Sequence, residues 1–255
     1  MDDLEIIEVN EDNIDTEHIC CAIGNDRKNR RRADVKKDWL KKRFADGHTF
    51  KKIDVRGKVF IEYDLAENAW FPIEADGYNF IQCLWVSGRY KGQGFSRKLM
   101  EELEKDSEGR KGIVAIASPK KKGFMVEKNY YENMGFVECD FVPPYYQLMV
   151  KKFDDDAENP RFTDKAKKAK LEGGKGLTFF YSDMCPFNEE YTDIMIEAAS
   201  KFDVPVKKVK INSKEEAKDL PTPWGNFSVF LDEDLITHEV TTMKKFQKML
   251  EELLD

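Results

Sequence analysis

The stretch from Phe80 to Glu104 limits what this chain can fold into more than any other. Phe80, Ile81, Leu84, Trp85 and Val86 are the aromatic, aliphatic and β-branched residues that a mostly buried strand needs. Arg89-Tyr90-Lys91-Gly92-Gln93-Gly94 then interrupts the run with two glycines one residue apart. From Phe95 onward Leu99, Met100 and Leu103 recur at helical spacing, with charged residues between them. A strand that passes through a glycine turn into a helix aims backbone N–H groups and the positive end of the helix dipole at one place. That is an anion site. The glycines let the backbone approach an anion that a Cβ would hold off.

Two phosphate-binding turns are excluded by the residues that follow. A dinucleotide fingerprint needs a third glycine or alanine where this chain has Arg97, and a P-loop needs Gly-Lys followed by Ser or Thr, which is absent after Gly94. What remains is Arg-x-x-Gly-x-Gly, filled by Arg89, Gly92 and Gly94. The rest of the composition narrows the class. The chain has 255 residues, enough for one or two domains, and its apolar share of 41% is that of an ordinary globular protein. Charged residues reach 36%, but both signs are mixed and the net charge is −7, which argues against a nucleic-acid partner. The basic run Lys28-Asn29-Arg30-Arg31-Arg32 reads as a solvated helix face. No apolar run approaches the ~20 residues of a membrane span, so no membrane partner is expected. The acidic start MDDLEIIEVNEDN is unlike a signal peptide, and five scattered cysteines suit a reducing compartment. A cytoplasmic location without a metal centre is therefore expected.

Taken in order, the residues predict a strand over 4–9, a helix capped at Asp15 or Thr16 and running through Cys21, and a second helix over 29–44. A hairpin follows over 48–55 and 58–65, and an aromatic loop from Trp70 leads into the strand at Phe80. Lys111 to Ala117 reads as a buried strand parallel to that one, Gly123 to Met134 as a helix closed by Gly135-Phe136, and 136–141 and 145–152 as the last strands. This order, with Arg89-x-x-Gly92-x-Gly94 and Tyr131-x-x-x-Gly135-Phe136, resembles the GNAT acyl-CoA-dependent N-acetyltransferases over residues 1–152. The resemblance implies acetyl-CoA as cosubstrate and a primary amine, on a small molecule or peptide, as acceptor. It places the CoA pyrophosphate on the backbone of Arg89, Tyr90, Lys91, Gly92, Gln93, Gly94 and Phe95, and pantetheine along Leu84, Trp85 and Val86. It makes Tyr131 the general acid that protonates the departing thiolate. One departure is Phe124, where several relatives carry an asparagine that holds the cofactor. The strand 80–86 holds no carboxylate, so a general base is not named; Glu62, Glu74 and Asp76 read as surface carboxylates. Trp70 to Phe80 and Pro143-Pro144-Tyr145-Tyr146 are expected to wall the acceptor side.

Residues 153–175, opening with Asp154-Asp155-Asp156, read as an acidic linker with a short helix over 163–172. Strand, helix, strand, short helix, hairpin and closing helix over 176–255 resemble a small thioredoxin-like domain. Cys185 falls at the N-terminus of its first helix, where thioredoxins place Cys-x-x-Cys, and Thr222–Pro223 where relatives carry a cis-proline. Asn188 replaces the second cysteine, which rules out a dithiol cycle there. The domain therefore reads as a binding or dimerisation module, compatible with a homodimer. A GNAT domain followed by such a unit resembles the bacterial YoaP-type proteins. The fold class expected is α/β (α+β), with a mixed central sheet in the first domain. The leading function is acetyl transfer to an amine. The alternatives are a monothiol redox or sensor protein using Cys185 and a CoA-responsive interaction protein.

Overall fold

Alternation in the chain sets up the central sheet. In Val59–Leu65, Val59, Ile61 and Tyr63 enter one apolar core, while Phe60, Glu62 and Asp64 are buried on the other face. The structure is a computed structural model that describes residues 4–19 and 21–254; Cys20, on which part of the expected 15–21 helix falls, lies outside them. The described chain divides into two compact units. Of the described residues, one comprises those up to 69 and 73–162, the other 70–72 and those from 163 onward.

The first unit is built on a mixed sheet. Its strands are β1 (Ile6–Val9), β2 (Thr49–Ile53), β3 (Val59–Leu65), β4 (Ile73–Glu74), β5 (Tyr78–Val86), β6 (Gly112–Ser118), β7 (Val126–Glu127), β8 (Val137–Val142), β9 (Tyr146–Lys152) and β10 (Arg161–Phe162). The order is β1-β2-β3-β5-β6-β9-β8, with β7 beside β6 and a separate ribbon of β10 and β4. β5 and β6 are parallel, joined through helix α2 (Phe95–Asp106), and the other pairings along the main path are antiparallel. This mixed sheet and element order are those the GNAT resemblance implies. Leu99, Met100 and Leu103 of α2 and Tyr131 of α3 (Lys128–Glu132) pack on Ile61, Tyr63, Ile81, Ile113 and Ala115. β6 is buried along its whole length and uses small residues there. A Cβ on Gly112 would stand 2.2 Å from the Lys151 carbonyl oxygen. Helix α1 (Arg27–Phe44) begins at Asp26, whose carboxylate accepts from the N–H of Lys28 and Asn29.

Three expectations need correction here. Residues 11–19 form turns, not a helix, because Asn10 and Asn13 side chains bond nearby backbone groups and compete with the helical ladder. The late helix does not start at Gly123. Phe124 has a φ of 64°, Val126 and Glu127 pair with Ala117 and Ser118, and only Lys128–Glu132 is helical. Residues 153–162, read as linker, fold onto the first unit: Tyr78 donates to the Glu158 carbonyl at 2.8 Å, and Phe162 N–H donates to Asp140 Oδ2 at 2.8 Å.

In the second unit, helix α4 (Asp164–Lys168) is capped by Thr163. It is followed by β11 (Leu177–Tyr181), α5 (Asn188–Ala199), β12 (Val206–Lys210), α6 (Lys214–Lys218), β13 (Phe227–Leu231), β14 (Asp234–Thr237) and α7 (Met243–Leu254). The strand order is β12-β11-β13-β14, with β11 parallel to β12 and β13 antiparallel to both β11 and β14. Leu177, Phe179 and Val229 pack against Met195 and Ala198 of α5 and Phe246 and Leu250 of α7. Trp70, Phe71 and Pro72 cluster with this unit, where Phe71 meets Trp224 edge-on at 5.5 Å. Both aromatics of that segment are buried.

Asn188 is fully buried. Its Nδ2 donates to the Ser182 carbonyl (3.0 Å), the Asn226 carbonyl (3.0 Å) and Asn226 Oδ1 (2.7 Å). It ties the start of α5 to the loops before it and before β13. Asn188→Ala strands those buried acceptors and is expected to destabilise the second unit by about 1–3 kcal/mol. Urea unfolding measures this; a midpoint equal to wild type would refute the staple.

Candidate functional site

β5 is paired on one side with β3 along its full length, but with β6 only from Tyr78 to Ile81. The parting has a local cause. Tyr63 pairs with Ile81 and Glu62 with Cys83, so Gln82 is an extra residue on β5, a bulge that bends the strand. Beyond it, β9 holds one edge of β6 through Ala117, and β7 takes the edge that β5 has left. Leu84, Trp85 and Val86 therefore keep the edge facing β6 unpaired. Leu84 and Val86 lean on the core, while Trp85 is 41% exposed with the Lys58 ammonium 5.8 Å from its ring.

The glycine turn stands at the end of this free edge. Gly88, Gly92 and Gly94 have φ of 58°, 75° and 81°, a region in which side chains are strained, and a Cβ on any of them would meet nothing within 4 Å. Conformation, not crowding, requires glycine, and the space above the turn is open. Gly94 caps α2 and has no side chain to offer, so no capping group competes for the N–H of Phe95, Ser96 and Arg97. Tyr90 packs on Gly57, where a Cβ would stand 2.2 Å from its ring, and meets the Phe95 ring at 6.2 Å. Arg89 donates to the Tyr90 hydroxyl at 2.8 Å, and Gln93 donates back to the Arg89 carbonyl. Lys91 and Gln93 are exposed. The turn is thus braced by its own side chains, with its backbone open to solvent.

Tyr131 is only 2% exposed, its ring 5.2 Å from Phe136 and 5.5 Å from Tyr130. Burial, then the neighbouring Tyr130 and Cys83, pushes its phenol well above the usual tyrosine range. It is therefore a neutral O–H at physiological pH. Cys83 belongs to the segment of β5 that has left β6. Phe124, which departs from the asparagine of several relatives, is 42% exposed and offers no polar group there.

The carboxylates need a different account from the one the residues suggested. Glu74 is an exposed partner of Arg161, 2.5 Å away, and Asp76 is exposed. Glu62 is no surface carboxylate. It is buried, with Lys36 Nζ at 2.5 Å, His48 Nε2 at 3.4 Å and Gln82 Nε2 at 3.2 Å, all on Oε2. His48 Nδ1 lies 2.9 Å from Asp64 Oδ2, and Arg43 reaches Asp64 Oδ1 at 3.5 Å. Trp39 closes the group, 4.5 Å below Lys36 and edge-on to His48. Burial opposes charge on Glu62, but Lys36 and His48 outweigh it and hold the carboxyl below its ordinary value of 4.5. Burial likewise opposes charge on His48, but Asp64 and Glu62 raise it above 6.5.

The sequence reading missed Lys36, His48, Asp64 and Gln82. A signal was present: Lys36 and Arg43 lie on the same helical stripe as Trp39 and Leu40, opposite a strand that alternates Glu62 and Asp64 inward. In the second unit Cys185 is half-buried just before α5, and Asp183 pairs with Lys210 at 2.8 Å. The expected cis bond at Thr222–Pro223 is not found. Among the described residues the cis peptide is Pro143–Pro144, and the Thr222 hydroxyl instead accepts from Trp224 N–H at 3.3 Å in a local turn. No cluster of three or more His, Cys, Asp or Glu able to hold a metal occurs among the described residues, and none of their helices is long and apolar enough to cross a membrane.

Known proteins resemble this chain at two levels. A family model described as YoaP-like matches residues 205–248. A Bacillus subtilis protein named "uncharacterized N-acetyltransferase YoaP" is 39% identical over 249 residues, covering 97% of this chain and 98% of that protein. More distantly, a Brucella melitensis GNAT acetyltransferase solved with acetyl-CoA is 17% identical, covering 61% of this chain and 92% of its own, with a TM-score of 0.37. The Escherichia coli GNAT N-acetyltransferase YhbS, solved with CoA, is 18% identical over 63% of this chain and 91% of its own, with a TM-score of 0.36.

The buried charges make a pH prediction. His48, raised in the folded state, contributes stability that is complete below about 6.5 and is lost as pH rises through its folded value. Glu62, lowered, contributes above 4.5 and fails as pH falls. The stability gap between wild type and His48→Gln is expected to be widest near pH 6 and to narrow toward pH 9. Thermal unfolding across that range tests the sign; a gap that widens with pH would overturn it.

Proposed function

The chain belongs to the family of the N-acetyltransferase YoaP, and from that premise we propose that it moves an acetyl group from acetyl-CoA to a primary amine by direct attack on the thioester. The observation that carries this reading is the pairing of a free β5 edge with an uncapped, glycine-lined helix N-terminus at its end. Arg89, Tyr90, Lys91, Gly92, Gln93, Gly94 and Phe95 would take the pyrophosphate on backbone N–H groups, helped by the α2 dipole. Leu84, Trp85 and Val86 would pair with the pantetheine amides as with an added strand. That brings the thioester to the bulge, next to Tyr131. A new C–N bond forms as the C–S bond breaks, the thiolate takes its proton from the Tyr131 hydroxyl, and the amine's surplus proton passes to water. Proximity of amine and thioester supplies most of the acceleration.

The second unit is, in our reading, thioredoxin-like: its strand order, with β11 parallel to β12 and antiparallel to β13, supports this. With Asn188 spent as a structural staple, it serves as a binding or dimerisation module, and no comparable observation favours redox work by Cys185. The domain assignment we propose keeps residues 1–152 as the catalytic domain and 176–255 as the module, with 153–162 folded onto the first and 163–175 leading into the second.

Calorimetry tests the cradle. Wild type is expected to bind acetyl-CoA, and Gly92→Val, which forces a β-branched residue to a φ of 75°, to bind at least about tenfold more weakly. Absence of binding by wild type would sink the reading. Tyr131→Phe is expected to lower kcat about 10²-fold on an amine panel while the acetyl-CoA Kd holds. An unchanged kcat would remove Tyr131 as the acid.

A further inference from the structure

Among the buried polar groups that the acetyl-transfer reading does not use, the Gln82 carboxamide sits where the strands part. Gln82 is 8% exposed and is the extra residue of the β5 bulge, opposing Glu62 together with Cys83. Its two amide atoms have different fates. Nε2 donates to Glu62 Oε2 at 3.2 Å, whereas Oε1 is buried and has no hydrogen-bond partner among the described residues. A buried acceptor without a donor is costly, and native interiors rarely keep one without a purpose.

The orientation of that amide is imposed. An ionised carboxylate only accepts, so Gln82 must turn its NH₂ toward Glu62 and its oxygen away. Lys36, 2.5 Å from the same Glu62 oxygen, keeps the carboxylate ionised and immobile. The result is a fixed acceptor at the bulge, on the sheet face that carries Glu62 and lies opposite the core under α2. A cofactor bound along Leu84–Val86 would bring its thioester to this point, and the acceptor must approach it with an N–H.

We infer that Gln82 orients the acceptor: its carboxamide oxygen takes a hydrogen bond from one N–H of the primary amine, which leaves the nitrogen lone pair free to face the thioester carbon. Glu62 and Lys36 are positioning residues for Gln82. The ligand class is an N–H donor, and the contact is made with the amine, not with the cofactor. This inference rests on the acetyl-transfer reading.

The test uses the full chain, with spermidine, putrescine, kanamycin and a short glycine-initiated peptide as amine probes. On the amine turned over fastest, Gln82→Met, which keeps the volume and removes the acceptor, is expected to lower kcat/KM for the amine about tenfold or more, with the acetyl-CoA Kd by calorimetry within about twofold of wild type. Glu62→Gln frees the amide to flip and is expected to give a smaller loss of the same kind, and Gln82→Asn a partial rescue. An unchanged kcat/KM in Gln82→Met overturns the inference and leaves the acetyl-transfer reading standing. So does an acetyl-CoA Kd that weakens in parallel, since Gln82 would then only shape the cofactor edge. Wild type that binds acetyl-CoA but acetylates none of the probes counts against both together.

Discussion

Everything that can act in the first unit depends on β5 leaving β6 after Ile81. A sheet in which both strands stayed paired would have no free N–H and C=O groups to offer, and its interior would be closed. The parting is produced by one extra residue, Gln82, and is stabilised from both sides. β3 keeps hold of β5 through Val86, and β7 gives β6 a new neighbour at Ala117 and Ser118. The edge that results runs straight into the turn whose glycines adopt left-handed φ and cap α2. Strand edge and helix terminus both present backbone donors, so a long ligand with amides along its length and an anion at one end is what this surface suits.

Much of this was legible in the residues because it depends on local pattern. The apolar run at Phe80–Val86, the two glycines and the Leu99-Met100-Leu103 stripe fix strand, turn and helix without reference to anything distant. The Tyr131-to-Phe136 closure is local in the same sense, with Phe136 N–H donating to the Tyr131 carbonyl at 3.0 Å. What escaped was decided by partners far along the chain. Val126 and Glu127 look like part of a helix until Ala117 and Ser118 are available to pair with them. Residues 153–162 look like a linker until Tyr78 and Asp140 supply their hydrogen bonds. The contact of Phe71 with Trp224 is likewise invisible in sequence, since the two lie far apart along the chain. At 222–223 the resemblance pointed to an isomer that the local Thr222–Trp224 turn does not need.

The site carboxylate shows the same division. Glu62 is indistinguishable in sequence from an exposed strand residue, since a hairpin strand with one polar face usually has it in water. Only the fold reveals that α1 lays Lys36, Trp39 and Arg43 over that face and turns it into a second, charged interior. The reading from residues therefore picked out the side of the sheet that is marked by glycines and aromatics, and not the other side.

That charged interior is expensive for what it gives in stability. Taking Lys36 and Glu62 out of water costs several kcal/mol per ion, of which a 2.5 Å contact returns a part, and well-packed apolar residues in such places are often at least as stable. Removing one partner alone is worse than either, because an unpaired charge stays behind. What an apolar replacement would lose is direction. A leucine at 62 would leave the Gln82 amide free to present either nitrogen or oxygen at the bulge, whereas a carboxylate pinned by Lys36 permits only one. The buried ion pair is better understood as the device that gives one side chain at the split a fixed polarity than as a contribution to the core.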